Sequence, residues 1–323
     1  MWKRRVITIS IVIFLGLLVT LTSPIWILVF GILSTFRPIQ GILRAGLFLW
    51  CFLWCEILGI IGALYIWLLY LVDRDTEKYR SRNLFVQGQW CVALKVVGQR
   101  LFQAHFVVTG LDALTGPDVI MIPRHSSIGD TILATVFYTF PNSKQLRHVI
   151  KKELLLDPCI DIFGNRLDNY FVDRNADDKD GEILGIVRLL EGIRANEGVL
   201  IYPEGTRFSS TKRLKILKKL PAHLAERANR WTSLLPPRLG GLKALLQSNK
   251  KLDLLFCAHV GFEGSIGFRS MMNGGWHGRV IRIHFWRVSV SDIPKTESEI
   301  EGFILDSWDR MQTEVERLTK LSR

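Results

Sequence analysis

A histidine and an aspartate stand five residues apart in segment 123–130, which reads PRHSSIGD and directly follows the apolar run 119–122. A strand–loop–helix corner would let Asp130 accept a hydrogen bond from one ring nitrogen of His125. Such a bond fixes the tautomer of the imidazole and leaves the other nitrogen to take a proton from an alcohol. The pair therefore predicts general-base chemistry on a hydroxyl group, although the spacing alone also suits a capped helix with a surface histidine.

Cationic side chains follow the ends of further predicted strands. Segment 202–207 (YPEGTR) delivers Arg207, segment 170–174 (YFVDR) delivers Arg174, and segment 149–154 (VIKKEL) delivers two lysines. Arginine presents a planar fork, and a Glu-Gly-Thr turn exposes backbone N–H groups, so both suit phosphate oxygens. The sequence thus predicts that a phosphate-bearing alcohol is held beside a general base.

A serine nucleophile is the alternative mechanism, because Ser126 and Ser127 follow the histidine directly. The sequence contains no Gly-x-Ser-x-Gly elbow, which disfavours this route. For either route, we expect backbone N–H groups near the start of the following helix to stabilise the oxyanion.

Short β-rich runs alternate with helical patterns from residue 105 onward. This alternation is typical of an α/β fold in which a mixed, largely parallel sheet is flanked by helices. Sites in such sheets form where strands end and loops meet helices, which is where the motifs lie. The predicted strands are 105–109, 119–123, 147–150, 170–173, 199–202, 252–260 and 280–288, and the predicted helices are 131–139, 181–195 and 291–321.

The first quarter of the chain is strongly apolar. Residues 6–36 contain no charge, and residues 45–72 contain only Glu56. A membrane-spanning helix needs about 20 apolar residues. We therefore expect residues 1–75 to form a helical membrane-anchoring hairpin. The basic residues at positions 3–5 place the N-terminus and the rest of the chain on the cytoplasmic side.

Two alternatives to a spanning hairpin follow from the same segment. Pro24 predicts a kink or break, and Arg37 and Arg44 in the loop fit better with a shallow hairpin that never crosses. A cleaved signal peptide would share the basic start. However, the apolar stretch is too long and no small-x-small cleavage site closes it.

Charge and composition narrow the class of partner. The chain has 323 residues, a net charge of +12 and a mean hydropathy of +0.20. Nucleic acid, an anionic membrane and a phosphate-bearing substrate would each explain the positive charge. No nucleic-acid motif or repeat accompanies it, so we expect a phospholipid membrane as partner and no nucleic acid. The five cysteines have neither metal-ligand spacing nor a disulfide framework, so we expect no metal site.

Two further features each permit two interpretations. The stretch 212–219 (KRLKILKK) is either a basic amphipathic segment on anionic headgroups or a solvated helix face. Glu56 is either a functional acid or a partner for a neighbouring helix.

The ordered motifs resemble those of the glycerolipid acyltransferases typified by 1-acylglycerol-3-phosphate acyltransferase. His-x4-Asp, Phe-x-x-Arg and Glu-Gly-Thr-Arg occur in this order, and the resemblance covers residues 80–290. It implies that His125 is the catalytic base and that Asp130 orients it. It also implies a set of residues that bind the phosphoglycerol of the acceptor: Arg174, Glu204, Gly205, Thr206, Arg207 and Lys152.

Three departures from the family pattern bear on the acceptor. The second motif often has Gly three residues before Phe, where this chain has Asp168. The fourth motif often holds a proline in an apolar strand, and segment 256–260 (FCAHV) lacks it. Segment 235–241 (LPPRLGG) resembles the Pro-Arg-x-x-Gly element of the eukaryotic-type branch, whose acceptors are broader.

The resemblance implies an enzyme without a cofactor that takes acyl-CoA or acyl carrier protein as co-substrate. We expect it to acylate the free hydroxyl of a lysophospholipid, converting 1-acylglycerol-3-phosphate to phosphatidic acid. Remodelling of another lysophospholipid, thioester hydrolysis and a non-catalytic lipid-binding role remain alternatives. The expected parts are an anchor (1–75), a connecting amphipathic helix (76–104) and an α/β acyltransferase domain (105–323), at a membrane of the bacterial inner-membrane or endoplasmic-reticulum type.

Overall fold

Seven strands form one sheet in the computed structural model, which describes residues 2–173, 177–263 and 268–322. Their order across the sheet is β1-β7-β6-β2-β5-β3-β4, and all neighbours are parallel except β6 and β7. The sheet is therefore mixed and largely parallel, which confirms the predicted fold. The strands are β1 (His105–Thr109), β2 (Val119–Pro123), β3 (Gln145–Lys151), β4 (Tyr170–Val172), β5 (Glu197–Leu200), β6 (Asp253–Val260) and β7 (Val280–Val288).

Strand β2 lies in the middle of the sheet, between β6 and β5, and every residue in it is buried. Successive side chains of a strand point to opposite faces, so a strand covered on both faces is continuously apolar. Ile120 and Ile122 lie in one hydrophobic core, whereas Val119 and Met121 lie in another. The carboxyl ends of β6, β2 and β5 consequently lie side by side at one edge of the sheet.

Helices cover both faces of the sheet. The core that contains Ile120 includes residues of α6, α9 and α11, and the core that contains Val119 includes Phe102 at the end of α4. The helices are α1 (Trp2–Leu21), α2 (Ser23–Leu33), α3 (Ile42–Asp73), α4 (Thr76–Phe102), α5 (Pro158–Arg166), α6 (Lys179–Val187), α7 (Ser210–Leu217), α8 (Ala222–Ala228), α9 (Leu239–Ser248), α10 (Phe268–Met272) and α11 (Glu297–Lys320).

Helices α1 and α3 are long and apolar enough to cross a membrane, and both lie near the start of the chain. Pro24 stands at the beginning of α2, where its missing N–H is tolerated, so the break between α1 and α2 falls where the sequence predicted it. Many large apolar side chains of α1 are exposed to solvent, including Val6, Phe14 and Leu17. These helices are therefore candidate membrane anchors.

Both ends of the α1–α2 segment contact the α/β domain. Arg4 and Arg5 donate to the carboxylate of Asp161 in α5, at 3.0 Å and 3.1 Å, and this carboxylate is fully buried. After α2, the backbone N–H of Gly41 donates to the carbonyl of Met272 in α10 at 2.8 Å. The apolar helices thus lie along the domain rather than leading away from it.

Helix α3 is held between its neighbours, and Glu56 is part of that packing. Its buried carboxylate accepts from Trp90 Nε1 of α4 at 3.0 Å and from the backbone N–H of Cys159 in α5 at 3.3 Å. The rings of Tyr70 and Tyr79 pack near the connection between α3 and α4, with centroids 4.7 Å apart and planes inclined by 44°. These contacts favour the interpretation of Glu56 as a partner for neighbouring helices.

The helix predicted over 131–139 is not a regular α-helix. Gly129–Ile132 form a 3-10 turn, and Thr135–Thr139 form a π-helical turn. β-Branched residues are frequent here, and they lose side-chain freedom in an α-helix. The turn is compact enough to keep Asp130 close to the end of β2.

Candidate active site

The imidazole of His125 lies just beyond the end of β2, at the centre of the sheet edge. Its Nδ1 is 2.9 Å from Oδ1 of Asp130. The Asp130 side chain is fully buried, whereas 16% of the His125 side chain is exposed. Because the carboxylate accepts from Nδ1–H, Nε2 is left without the proton and can act as a base. This is the geometry that the spacing of the two residues predicted.

The second oxygen of Asp130 holds the loop that follows His125. Oδ2 accepts from the backbone N–H groups of Ser126 and Ser127, at 2.6 Å and 2.8 Å. The N–H of Gly129 donates to Ser127 Oγ at 3.0 Å. The expectation that N–H groups of this loop stabilise an oxyanion is therefore wrong for these three residues, because Asp130 and Ser127 already accept from them.

A serine nucleophile gains no support from this loop. Ser126 Oγ is buried and, in the parts of the chain that the structure describes, has no hydrogen-bond partner. A nucleophilic serine needs a base within hydrogen-bond distance of its hydroxyl. The arrangement instead leaves His125 to act directly on a hydroxyl of the substrate.

Tyr202 covers one side of the histidine ring. The two ring centroids are 4.6 Å apart, and the planes are inclined by 44°. Its hydroxyl donates to the backbone carbonyl of Asp130 at 3.3 Å. Burial raises the pKa of the Tyr202 hydroxyl well above its usual value, so this group stays protonated. The ring therefore restricts the orientation of His125 without competing for the proton.

The buried carboxyl group of Glu204 holds the backbone on which the site is built. It is buried, and its two oxygens accept from the backbone N–H groups of His125, at 2.7 Å, and Leu235, at 2.9 Å. Burial raises the pKa of Glu204 to about 8, against the opposing effect of these two donors. Its observed partners are thus protein backbone, and the substrate contact that the resemblance implies remains a prediction.

The rest of the Glu-Gly-Thr-Arg turn lies against His125 and the start of α7. The backbone N–H of Phe208 donates to the carbonyl of His125 at 2.8 Å. Gly205 has φ +66°, a conformation that favours glycine. Nζ of Lys212 donates to Thr206 Oγ1 and to the carbonyl of Arg207, both at 3.0 Å. The turn is therefore placed beside the base, as predicted.

The two remaining candidate phosphate ligands belong to the outer strands. Lys152 follows β3, is largely exposed, and forms an ion pair with Asp173 at 3.0 Å. Arg174 lies outside the described residues. Strands β3 and β4 are parallel to β2, so their carboxyl ends reach the same edge as His125.

Comparison with known proteins agrees with this geometry. Residues 105–248, which include His125, Asp130 and the Glu-Gly-Thr-Arg turn, match the family model described as Acyltransferase. This part of the α/β domain is therefore similar to the acyltransferase family. The motifs and the match together support the glycerolipid acyltransferases, as the sequence indicated.

A solved structure has the same fold as the acyltransferase domain and its helical start. The crystal structure of the 1-acyl-sn-glycerophosphate (LPA) acyltransferase PlsC from Thermotoga maritima superposes with a TM-score of 0.58. The match covers 87% of this chain and 98% of the other, at 16% sequence identity. No curated protein sequence matches the chain.

Two buried residues of the acyltransferase domain were not expected to take part in the site. Arg124 is 2% exposed, and its guanidinium donates to the carbonyls of His259 and Ser233 and pairs with Glu263. His259 lies in β6 with no exposed surface. The sequence signal that could have pointed to His259 is that β6 is apolar from 254 to 258 and then carries a histidine near the strand end.

The departures from the acyltransferase pattern have visible partners. Asp168, where the family often has glycine, forms an ion pair with Arg80 at 3.3 Å. Arg238 is exposed and lies across Gly205, with Nε 2.8 Å from the position that a Cβ atom would take there. The Pro-Pro-Arg element is thus in contact with the Glu-Gly-Thr-Arg turn.

Proposed function

We propose that the protein transfers a fatty acyl group from an acyl thioester to the free hydroxyl of a lysophospholipid, with 1-acylglycerol-3-phosphate as the acceptor. The observation that carries the proposal is the orientation of the partly exposed His125 ring by the buried Asp130. The match of residues 105–248 to the acyltransferase family supports the same chemistry.

The reaction requires one proton to move twice. Nε2 of His125 takes the proton of the acceptor hydroxyl while the hydroxyl oxygen attacks the thioester carbonyl. The new C–O bond forms, the C–S bond breaks, and the thiolate leaves with the proton that His125 returns. A positioned base contributes about 10²- to 10⁴-fold to such a step. Acyl-CoA and acyl carrier protein are both suitable donors.

The acceptor phosphate would bind between the outer strands and the Glu-Gly-Thr-Arg turn. Arg207, Lys152 and Arg174 supply the cations, and each follows a strand whose carboxyl end reaches the edge where His125 lies. Arginine binds phosphate through two parallel N–H groups, which also fixes the orientation of the glycerol. This places the free hydroxyl of the acceptor towards the base.

A different lysophospholipid is the second candidate acceptor. Arg238 adds an exposed guanidinium across Gly205, in contact with the turn that the acceptor phosphate would reach. A headgroup larger than a bare phosphate would have an additional cation to contact here. A panel of acceptors decides between the two candidates.

The apolar helices would bring this site to its lipid substrate. Exposed apolar residues of α1 and α2 suit insertion into a membrane, and contacts at both ends of the α1–α2 segment favour the shallow hairpin. We propose that the hairpin lies on the cytoplasmic side of the membrane, where the acyl thioester is supplied.

The decisive experiment combines a substrate panel with one variant. Detergent-solubilised protein is incubated with an isotopically labelled acyl thioester and a panel of lysophospholipids, and products are identified by mass spectrometry. We expect a labelled diacyl product from 1-acylglycerol-3-phosphate and its loss in His125→Ala, with membrane association unchanged. Normal turnover by His125→Ala would refute the base assignment, and free fatty acid formed without any acceptor would indicate a hydrolase.

A further inference from the structure

The peptide group that joins Arg124 to His125 is held on both of its polar atoms by buried side chains. Its carbonyl oxygen, on Arg124, is 3.0 Å from Nε2 of His259. Its N–H, on His125, donates to Glu204 at 2.7 Å. His259 belongs to β6 and Glu204 to the loop after β5, so the strands on either side of β2 each supply one contact.

The partners of His259 define its tautomer. A carbonyl oxygen only accepts, so Nε2 must carry the proton that is shared with Arg124. Nε2 is also 3.5 Å from Oδ2 of Asp130, and its N–H dipole therefore faces the carboxylate that orients His125. Nδ1 is buried and, among the described residues, has no hydrogen-bond partner. A second proton on Nδ1 would have no acceptor, so the neutral ring is favoured.

The groups around His259 agree with a neutral ring. Asp130, Arg124 and Glu263 face it with charges of both signs, and Phe262 packs edge-on at a centroid distance of 5.5 Å. Burial lowers the pKa of His259 below its usual value. The Nε2–H group is present in the neutral ring and in the protonated ring alike, because its carbonyl partner only accepts.

We propose that His259 is a positioning residue of the active site, which fixes the backbone of His125 by donating Nε2–H to the Arg124 carbonyl beside Asp130. The proposal rests on the proposed function in that the catalytic base is His125. His259 leaves its Nδ1 acceptor unpaired, and an apolar residue would fill the same place in β6 without that cost, so packing alone does not account for a histidine here. The hydrogen bond that Nε2–H donates does account for it.

The test compares two substitutions of equal burial but different hydrogen bonding. His259→Gln keeps an N–H donor close to the position of Nε2, whereas His259→Met fills a similar volume without a donor. We expect His259→Met to lower kcat about 10- to 100-fold, because small misplacements of a catalytic group cost that much, while KM changes less than about threefold. His259→Gln should retain activity within about fivefold of the unaltered protein. Its pH–rate profile should have the same shape, because Nε2 of His259 donates to the Arg124 carbonyl in either protonation state of the ring.

His148 offers a matched control, because it is a partly buried strand histidine in β3 that takes no part in the site. His148→Met should leave kcat within about twofold of the unaltered protein. The proposal is overturned if His259→Met turns over normally, or if His259→Gln is as inactive as His259→Met.

A second measurement keeps the outcome independent of turnover. Hydrogen exchange, followed by mass spectrometry, reports the protection of the peptide that contains residues 124–130. Faster exchange in His259→Met but not in His259→Gln is expected even if the protein proves to use another substrate. Unchanged exchange in both variants would overturn the positioning role, whereas absence of acyl transfer by the unaltered protein would count against the proposed function alone.

Discussion

Replacement of Glu204 by glutamine distinguishes a support for the backbone from a ligand of the substrate. Each carboxyl oxygen of Glu204 accepts from one backbone N–H group. A carboxyl oxygen accepts whether or not it carries a proton, whereas an amide nitrogen cannot accept. Glu204→Gln therefore leaves the N–H of either His125 or Leu235 without an acceptor in a buried place.

The size of the effect follows from that single lost bond. An unsatisfied buried donor costs about 1–3 kcal/mol. For a domain of this size, 1 kcal/mol corresponds to a change of about 2–4 °C in Tm. Thermal unfolding in detergent should thus show a Tm that is lower by roughly 2–12 °C. The rate constant kcat should fall as well, because one of the two N–H groups at risk belongs to the catalytic base.

Glu182 provides the matched control for this prediction. The hydroxyl of Tyr170 and the backbone N–H of Asp173 both donate to the same oxygen of Glu182, at 2.9 Å and 3.1 Å. The carbonyl of a glutamine can accept both bonds, so Glu182→Gln should shift Tm less. If Glu204→Gln leaves Tm unchanged and alters only the KM for the lysophospholipid, the assignment of Glu204 as a backbone support is refuted.

Two further predictions concern pH and membrane charge. Burial raises the pKa of Glu204 from its ordinary value of 4.5 to about 8, so the stability it contributes is complete below 4.5 and is lost as pH rises through about 8. The Tm difference between the unaltered protein and Glu204→Gln should therefore narrow as the pH rises from 4.5 to about 8. A Tm difference that stays constant over this pH range would contradict the raised pKa of Glu204. Lys218 and Lys219, which are exposed directly after α7, should contact anionic headgroups. Replacement of both lysines by glutamate should remove any activation of the enzyme by anionic vesicles at low salt. The same change at the exposed pair Lys250 and Lys251, before β6, should leave that activation intact. If the variant loses as much activity in neutral micelles as in anionic vesicles, the lysines would instead contact an acidic carrier protein.

The central strands were predictable because burial on both faces makes them continuous apolar runs. Strands β1, β2 and β7 have the predicted bounds, and β6 differs by one residue at its start. The antiparallel direction of β7 was not predictable, since side-chain alternation does not depend on strand direction. The short helices α5, α8 and α9 were also missed, because seven to ten residues show too few turns for a clear periodicity.

The site was predictable where its contacts are local. His125 and Asp130 are separated by a single loop, so their spacing was sufficient to predict the hydrogen bond. The contact of His259 with Arg124 spans 135 positions and exists because β6 pairs with β2. Glu204 illustrates the same limit, since its motif was recognisable but its backbone partners depend on which strands are neighbours.

The contacts at the two ends of the apolar helices have a consequence for substrate supply. The α1–α2 segment contacts Asp161 at its start and Met272 at its end, and α2 has 11 residues, roughly 16 Å at 1.5 Å per residue, which is about half the thickness of the hydrocarbon core. The hairpin would occupy a single leaflet and displace its lipids laterally. The enzyme would then draw lysophospholipid from that leaflet and return the diacyl product to it, so growth of the opposite leaflet would require separate lipid transport.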